Sequence, residues 1–234
     1  MSKNKLFILS GSSASGKSTL LSKIVENGLC ERATKYSTRE KRMNELYDDI
    51  IHMNELEIKQ SCDIIYTMYN NLYGINTSEI EQRLLFNNQI VIVSDIDSLR
   101  KIKFIFNEKV SIIFISLIDI NIENLLKAYG ERKDLKMLGG ELSLLAIKIS
   151  AAIKINNNSK FRELDEMFKR SIKKYLSDVE FIEFVERYNS MIHFNEFYMK
   201  NKDLFNYSIF GRSVEDLSEN CCNIIKNQYY EQSM

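Results

Sequence analysis

Residues 11–19 read GSSASGKST: a glycine, four residues, then glycine, lysine, serine and threonine. This spacing matches the loop that wraps the phosphates of a bound nucleoside triphosphate. The run before it, KLFILS, is short and apolar like a buried strand, and LLSKIVENGL after it has the apolar spacing of a helix that stops near Gly28. Strand, glycine-rich turn and helix are the context that the motif requires, so we predict a phosphate-binding loop here.

Each position of the predicted loop has a physical task. Glycine lets successive backbone N–H groups turn inward around a phosphate chain, and the start of the helix adds a partial positive charge. Lys17 is expected to reach the terminal phosphates, and the Ser18 hydroxyl to ligate Mg²⁺. The competing interpretation, a serine-rich turn that matches by chance, does not account for the flanking strand and helix. The predicted ATP-binding residues are Ser13, Ala14, Ser15, Gly16, Lys17, Ser18 and Thr19.

Composition limits the class of protein. The 234 residues are 44% hydrophobic, enough to bury a sizeable core as one α/β domain with insertions or as two small domains. The 32 basic and 32 acidic residues cancel, which argues against general binding to nucleic acid or to a membrane surface. The four cysteines lack metal-ligand spacing, and the N-terminal apolar run is too short for a signal peptide or a membrane span. We therefore expect a cytoplasmic protein.

A second polar motif, YSTREKRMNE, occupies residues 36–45. It places Arg39 and Arg42 three residues apart, with Glu45 three further on. Two guanidinium groups at this spacing can grip a dianionic phosphate by charge-assisted hydrogen bonds, and Glu45 would orient an arginine. For an isolated pair of arginines the alternative is a solvated charged turn. The position of the motif after a phosphate loop favours a site for the phosphate of an acceptor.

This segment resembles the acceptor-phosphate loop of guanylate kinases, and further matches follow in that family's order. Leu72-Tyr73-Gly74 is similar to the family's tyrosine-tyrosine-glycine, whose second tyrosine gives its hydroxyl to the acceptor phosphate. The resemblance gives Tyr73 that role. QIVIVSDID, residues 89–97, resembles the family's strand that ends in acidic residues. By that match Asp95 would contact the acceptor base, and Asp97 would lie near magnesium.

The resemblance also implies a lid. KVSIIFISLI, residues 109–118, predicts another buried strand, followed by a helix over about 122–129. In guanylate kinases this helix leads into a small lid whose arginines close over the transferred phosphoryl group. The resemblance makes Arg132 and Lys148 the catalytic residues of the lid, beside Lys17 of the phosphate loop. A lysine keeps the positive charge of an arginine but loses its planar fork.

A fold class and a division of the chain follow from the resemblance. We expect an α/β protein with a P-loop NTPase parallel sheet flanked by helices, and with inserted NMP-binding and lid subdomains. Apolar residues at helical spacing from Phe161 to Tyr198 predict one long or two shorter amphipathic helices. These form either a hairpin packed on the lid or core, or a surface for a partner or a second copy. The expected divisions are the core at 1–33, 86–125 and 205–234, the acceptor-binding subdomain at 34–85, the lid at 126–154 and a helical insertion at 155–204.

The positions that read guanine in guanylate kinases are different here. The chain has Lys35 where the family has serine, Ile50 or Ile51 where it has tyrosine, and Ile64 where it has glutamate. Isoleucine cannot accept the hydrogen bonds of the N1 and exocyclic amine hydrogens of guanine. Asp63 would replace the glutamate only through a shift in register. The sequence therefore predicts that the acceptor phosphate is bound as in the family, and it does not determine which base the acceptor carries.

These features predict transfer of the γ-phosphoryl group of Mg·ATP to an acceptor phosphate by a nucleoside monophosphate kinase of guanylate kinase type. GMP and dGMP are the default acceptors, and Mg²⁺ is the expected cofactor. Two alternatives stay open: a kinase of another phosphorylated acceptor, either a non-guanine nucleotide or a phosphosugar, and a non-catalytic guanylate-kinase-like binding module. Intact Lys17 and Ser18 argue against the module, while the helical insertion argues for it.

Overall fold

The computed structural model describes residues 4–12, 15–41, 50–86, 89–106, 111–117, 122–132, 140–155, 157–210 and 214–230. The chain divides into two compact units. The first, which we call the sheet unit, comprises residues 1–11, 16–118 and 201–234. The second, the helical unit, comprises residues 12–15 and 119–200.

The secondary structure follows the expected order of strands and helices. The described strands are β1 (Lys5–Gly11), β2 (Glu31–Arg32), β3 (Lys35–Ser37), β4 (Ile50–His52), β5 (Ile64–Met68), β6 (Asn71–Ile75), β7 (Gln89–Val93), β8 (Ser111–Leu117) and β9 (Tyr207–Ile209). The described α-helices are α1 (Lys17–Glu26), α2 (Glu55–Ser61), α3 (Thr77–Phe86), α4 (Ile96–Phe106), α5 (Ile122–Arg132), α6 (Gly140–Lys154), α7 (Asn158–Ile172), α8 (Asp178–Lys200) and α9 (Val214–Tyr230). A short 3₁₀ helix spans Lys202–Leu204.

The main sheet of the sheet unit has the order β2-β7-β1-β8-β9, and its neighbouring strands run parallel. Its central strand is β1, in which the side chains from Leu6 to Leu9 are wholly buried. A parallel strand covered on both faces needs such a continuous apolar run, which explains why KLFILS shows no polar alternation. α1 and α9 pack together on one face, with Leu20, Ile24 and Ile225 in the core.

A smaller mixed sheet in the same unit has the order β4-β3-β6-β5. Its β5 and β6 form an antiparallel hairpin joined by Tyr69 and Asn70, whose φ angles are 51° and 59°. Two central residues at positive φ are what a two-residue type I′ turn demands, and the twist of that turn matches the twist of the strands. The turn sets the register that pairs Tyr66 with Tyr73.

The four helices α5 to α8 of the helical unit share one hydrophobic core. Its largest side chains are aromatic: Tyr129, Phe168, Phe184 and Tyr188. The rings of Tyr129 and Phe184 meet edge to face with centroids 5.3 Å apart, a favourable aromatic geometry. The Tyr129 hydroxyl donates a hydrogen bond of 2.9 Å to the carbonyl of Glu180. The helices α7 and α8 therefore pack against α5 and α6.

The parallel sheet flanked by helices confirms the predicted α/β class. The YSTREKRMNE segment begins within β3, and the next described element along the chain is a further strand, β4, which precedes α2. The division into core, acceptor-binding subdomain, lid and insertion stays a prediction. Among the described residues, none of the helices is long and apolar enough to cross a membrane.

The contact between β6 and α2 generates a stability prediction. A Cβ atom on Gly74 would lie 2.5 Å from Cys62 Sγ and 2.8 Å from Ile58 Cγ2, closer than such atoms can approach. Gly74→Ala should therefore overpack this contact and lower the free energy of unfolding by about 1–3 kcal/mol. Urea denaturation of both variants checks this, with Gly140→Ala as the control because a Cβ there meets nothing within 4 Å. Equal losses in the two variants would contradict the packing argument.

Candidate functional site

The predicted phosphate loop ends at Gly16, immediately before α1. Gly16 has φ 81° and ψ 10°, in the left-handed region that favours glycine. Its carbonyl accepts the first helical hydrogen bond, from Leu20 N at 2.9 Å. This geometry lets the chain reverse sharply and start a helix, whose free N–H groups make its N-terminus a ready anion site.

Three of the predicted ATP-binding residues, Lys17, Ser18 and Thr19, lie on the first turn of α1. The Lys17 ammonium donates a 2.8 Å hydrogen bond to the carbonyl of Gly11, the last residue of β1. Ser18 and Thr19 are exposed, so both are open to a ligand. Ser15 is buried, and its N–H donates to the carbonyl of Ser12 at 3.3 Å. Ser13 and Ala14 lie outside the described residues.

Asp95 lies at the same edge of the main sheet as this loop. β1 and β7 run parallel with Leu9 opposite Val93, and Ser94 N donates to the Leu9 carbonyl at 2.9 Å. Neighbouring parallel strands end at a common edge, where ligands of open α/β sheets bind. The loop after β1 and the turn after β7 therefore emerge side by side.

Only one of the two carboxylate oxygens of Asp95 has hydrogen-bond partners among the described residues. Its Oδ1 accepts from Ser98 N at 2.8 Å and from Ser98 Oγ at 3.0 Å. Its Oδ2 is buried and has no hydrogen-bond partner among the described residues. Burial raises the pKa of Asp95, while the Ser98 hydrogen bonds and the Lys35 charge lower it and Asp97 raises it. A buried acceptor without a donor is costly, so Oδ2 is a natural partner for a ligand hydroxyl or amine.

Asp97, the predicted magnesium residue, lies on the first turn of α4 and is exposed. Ser18, its predicted partner at the metal, is exposed on α1. Hydroxyl and carboxylate oxygens are the ligand types that Mg²⁺ prefers. The described residues contain no cluster of three or more His, Cys, Asp or Glu side chains that could hold a metal. A site of one or two protein oxygens completed by nucleotide phosphates fits these observations.

One face of the small sheet carries Tyr73, one of the predicted acceptor-binding residues, together with Lys35, Ile50 and Ile64, which the resemblance matched to guanine-reading positions. Side chains alternate between the faces of a strand, and directly paired residues share a face. The pairs Ser37↔Tyr73 and Tyr66↔Tyr73 place these three side chains together. We call this the Tyr73 face. The same alternation and the register of the strands place five more side chains on the Tyr73 face: His52, Lys35, Ile50, Ile64 and Ile75.

An aromatic pair and a cation stand on the Tyr73 face. The rings of Tyr66 and Tyr73 stack, with centroids 5.4 Å apart and planes 9° from parallel. The Lys35 ammonium lies 5.7 Å from the centroid of the Tyr73 ring, within the range of a cation–π interaction. Sequence reasoning missed Tyr66. Its position two residues after Ile64 in a strand was the available signal, because residues two apart share a face.

The acceptor-phosphate loop is described only in part. Arg39 is 8% exposed, and its Nη1 donates to the Glu40 carbonyl at 2.9 Å. Its backbone N–H donates to Ser37 Oγ at 3.2 Å, and its carbonyl is hydrogen bonded to His52 Nδ1. These contacts hold the start of the loop beside β3 and β4. Arg42 and Glu45 lie outside the described residues, so their pairing stays a prediction.

Asp63 does not occupy the position of the family's glutamate. Its Oδ2 accepts two hydrogen bonds from Thr77, from the backbone N–H at 3.0 Å and from Oγ1 at 2.7 Å. Asp63 thereby caps the start of α3, and these bonds lower the pKa of its carboxyl group. Because Asp63 directly precedes Ile64, alternation places its side chain away from the Tyr73 face. The role of Asp63 in this structure is to hold the start of α3 through Thr77.

The two predicted lid residues belong to the helical unit. Lys148 is exposed on α6. Arg132 is the last residue of α5, and its side chain lies outside what the structure describes. Their approach to a bound nucleotide stays a prediction.

A comparison with solved structures finds similarity to the crystal structure of guanylate kinase from Anaplasma phagocytophilum. The alignment covers 97% of this chain and 87% of that chain, with a TM-score of 0.55 and 14% sequence identity. No protein-family model matches the sequence, and no curated protein matches it. The chain therefore has a guanylate kinase-like fold, as its motifs predicted, and its sequence is only 14% identical to that enzyme.

The Asp63 cap generates a pH-dependent prediction. Asp63→Ala removes both hydrogen bonds to Thr77 and should lower the free energy of unfolding at pH 7 by about 1 kcal/mol. The folded-state pKa of Asp63 is lowered, so its contribution is present above the unfolded pKa of about 3.9 and is lost as the pH falls through the folded value. The difference between wild type and variant should thus shrink in acid.

Urea denaturation between pH 7 and pH 3 measures this difference. Asp203→Ala is the control, because Asp203 is an exposed carboxyl in the same unit. A loss of stability in Asp63→Ala that is independent of pH would contradict the charge-assisted cap.

Proposed function

We propose that this protein is an ATP-dependent phosphotransferase that moves the γ-phosphoryl group of ATP to the phosphate of a small acceptor. The observation that carries the proposal is the turn between β1 and α1 at the predicted phosphate loop, where Gly16 lies in the left-handed region and Lys17 on the first helical turn. The guanylate kinase-like fold supports a kinase, and GMP and dGMP are the first acceptors to consider. The reaction would be that of a nucleoside monophosphate kinase.

The donor side of the proposed site is built from α1 and the edge of the main sheet. Ser15, Gly16 and Thr19 would bind phosphate oxygens through backbone N–H groups and side chains. Lys17 would leave the Gly11 carbonyl and turn its ammonium to the β- and γ-phosphates. Ser18 and Asp97 would hold Mg²⁺, which neutralises charge on the transferred group.

The acceptor side would lie on the small sheet. Arg39 and Arg42 would grip the acceptor phosphate, with Glu45 orienting an arginine. Tyr73 would donate its hydroxyl to that phosphate, and Asp95 Oδ2 would accept a hydrogen bond from the remainder of the molecule.

The chemical step needs no covalent enzyme intermediate. An oxygen of the acceptor phosphate forms the new bond to the γ-phosphorus, the bond from that phosphorus to the β,γ-bridging oxygen breaks, and ADP leaves with the electron pair. Positioning of the two phosphates in line and neutralisation of their charge supply most of the acceleration. Arg132 and Lys148 are the lid cations that would stabilise the transferred group, with Lys148 acting as a point charge.

Release of ADP in the presence of ATP, Mg²⁺ and a panel of phosphorylated acceptors tests this proposal. Lys17→Ala should lower kcat by at least about 10²-fold, because it removes a cation that acts on the developing charge. Lys23→Ala, at the other end of α1 and half exposed, is the matched control and should keep wild-type turnover. ATP binding without turnover of any acceptor would favour a binding module and contradict the proposed phosphotransfer.

A further inference from the structure

A groove lies between α7 and α8, within the helical unit. It has a volume of about 270 Å³ and opens to solvent. α7 contributes Phe161, Asp165 and Lys169, which are four residues apart and therefore share one face of that helix. α8 contributes Tyr188 and Ile192, together with three exposed polar residues at the rim. We call this space the α7–α8 groove.

The packing of the two helices explains where the groove lies. Near the turn that joins α7 to α8, aromatic rings fill the space between them: Phe168 lies 5.9 Å from Phe184 and 5.5 Å from Tyr188, measured between ring centroids. Farther from the turn the facing side chains include Phe161 and Ile192, which are only partly buried. The α7–α8 groove therefore lies at the end of the helix pair away from the turn.

Two buried oxygen atoms at the groove lack hydrogen-bond partners among the described residues. One is the hydroxyl of Tyr188, a residue that is only 1% exposed. The other is Asp165 Oδ1, whereas Oδ2 of the same carboxylate accepts from the Lys169 ammonium at 2.9 Å. The Tyr188 hydroxyl is near enough to Asp165 to feel its charge, but it makes no hydrogen bond of normal geometry with it. Buried polar atoms of this kind are costly unless a ligand or water meets them.

The charges inside the groove balance one another. Lys169 neutralises Asp165, and its ammonium lies 5.6 Å from the centroid of the Tyr188 ring. Burial and the Asp165 carboxylate raise the pKa of Tyr188 well above its ordinary value, so the hydroxyl keeps its proton and can donate. The three rim residues add further hydrogen-bonding groups: Asn189, His193 and Glu196. A lining that is polar and has its inner charges paired favours an uncharged, hydrogen-bonding ligand.

We propose that the α7–α8 groove is a binding site for a neutral polyhydroxylated ring, as in a monosaccharide. A hydroxyl group both donates and accepts, so one ring hydroxyl meets both buried atoms: it donates to Asp165 Oδ1 and accepts from Tyr188. Asn189 bonds a second hydroxyl at the rim, and the C–H face of the ring packs on Phe161 and Ile192. The volume lies just below the range of about 300–1,000 Å³ usual for ligand sites, which suits a single ring. This site is independent of the proposed phosphotransfer.

NMR titration of the isotope-labelled protein tests the proposal, with D-glucose, D-galactose, D-ribose and myo-inositol as probes. We expect at least one probe to shift the backbone amides of residues 161–169 and 188–196 saturably, with a Kd of the order of 1 mM for so small a ligand. Tyr188→Phe and Asp165→Asn should each weaken this binding about 10-fold, because each removes one of the proposed hydrogen bonds or its charge. Tyr188→Phe should also keep the wild-type midpoint of urea denaturation, since its hydroxyl has no hydrogen-bond partner among the described residues.

Three further variants complete the test. Asn189→Trp places a large side chain at the exposed rim and should abolish binding without unfolding the protein. Glu166→Gln is the matched control for Asp165→Asn: Glu166 is the next residue of α7, exposed and outside the groove lining, so the Kd should not change. Lys17→Ala should also keep the wild-type Kd, so that this site and the proposed phosphotransfer fail separately.

Three results would overturn the proposal. The first is the absence of saturable shifts with every probe up to about 100 mM, which would mean that the groove holds only water. The second is an unchanged Kd in both Tyr188→Phe and Asp165→Asn. The third is saturable binding of an organic cation, with choline as the probe, in place of the four polyols.

Discussion

The parallel pairing of β1 with β7 and β8 is the constraint on which the candidate site depends. β1 is held by backbone hydrogen bonds on both sides, and its wholly buried apolar residues allow helices to cover both faces. Parallel neighbours end at the same edge of a sheet. The loop that carries Lys17 and the turn that carries Asp95 are therefore brought together by backbone geometry, before any side chain at the site makes a contact.

The two faces of the small sheet carry different groups, because side chains alternate between the faces along each strand. Gly74 faces α2, where the absence of a side chain permits close packing against Ile58 and Cys62. Its neighbour Tyr73 points to the other side and stacks on Tyr66. Tight packing on one face thus holds the backbone of β6 in place, and a rigid strand presents the functional face with little freedom to rearrange.

Much of the fold could be predicted from the sequence, because its signals are local. The predicted phosphate loop is a contiguous motif, β1 and β8 are continuous apolar runs, and α7 and α8 show regular apolar spacing. The chemistry of Lys17 and Ser18 follows from the same contiguous residues. Such local signals are readable even though the chain is only 14% identical to a guanylate kinase of similar fold.

The parts that sequence reasoning missed are cross-strand and long-range. Tyr66 was overlooked because its stacking on Tyr73 depends on the register of β5 and β6, which the turn at Tyr69 and Asn70 sets. That turn lacks the glycine that usually announces a type I′ hairpin. Asp63 is close to Ile64 in the chain, yet its hydrogen bonds go to Thr77, and only a folded sheet reveals on which side of the strand it lies.

The sequence by itself therefore determined the class of fold, and it predicted the phosphate loop and the residues proposed for phosphoryl transfer, because each of these predictions rests on residues that are neighbours in the chain. Only the tertiary structure decided which of the polar residues act together. It left Asp95 Oδ2 without a hydrogen-bond partner among the described residues, placed the Lys35 ammonium over the ring of Tyr73 and assigned Asp63 to a helix cap. The physical reason is that burial, strand register and the face of a sheet are properties of the packed chain, and a hydrogen bond between distant residues has no local signature.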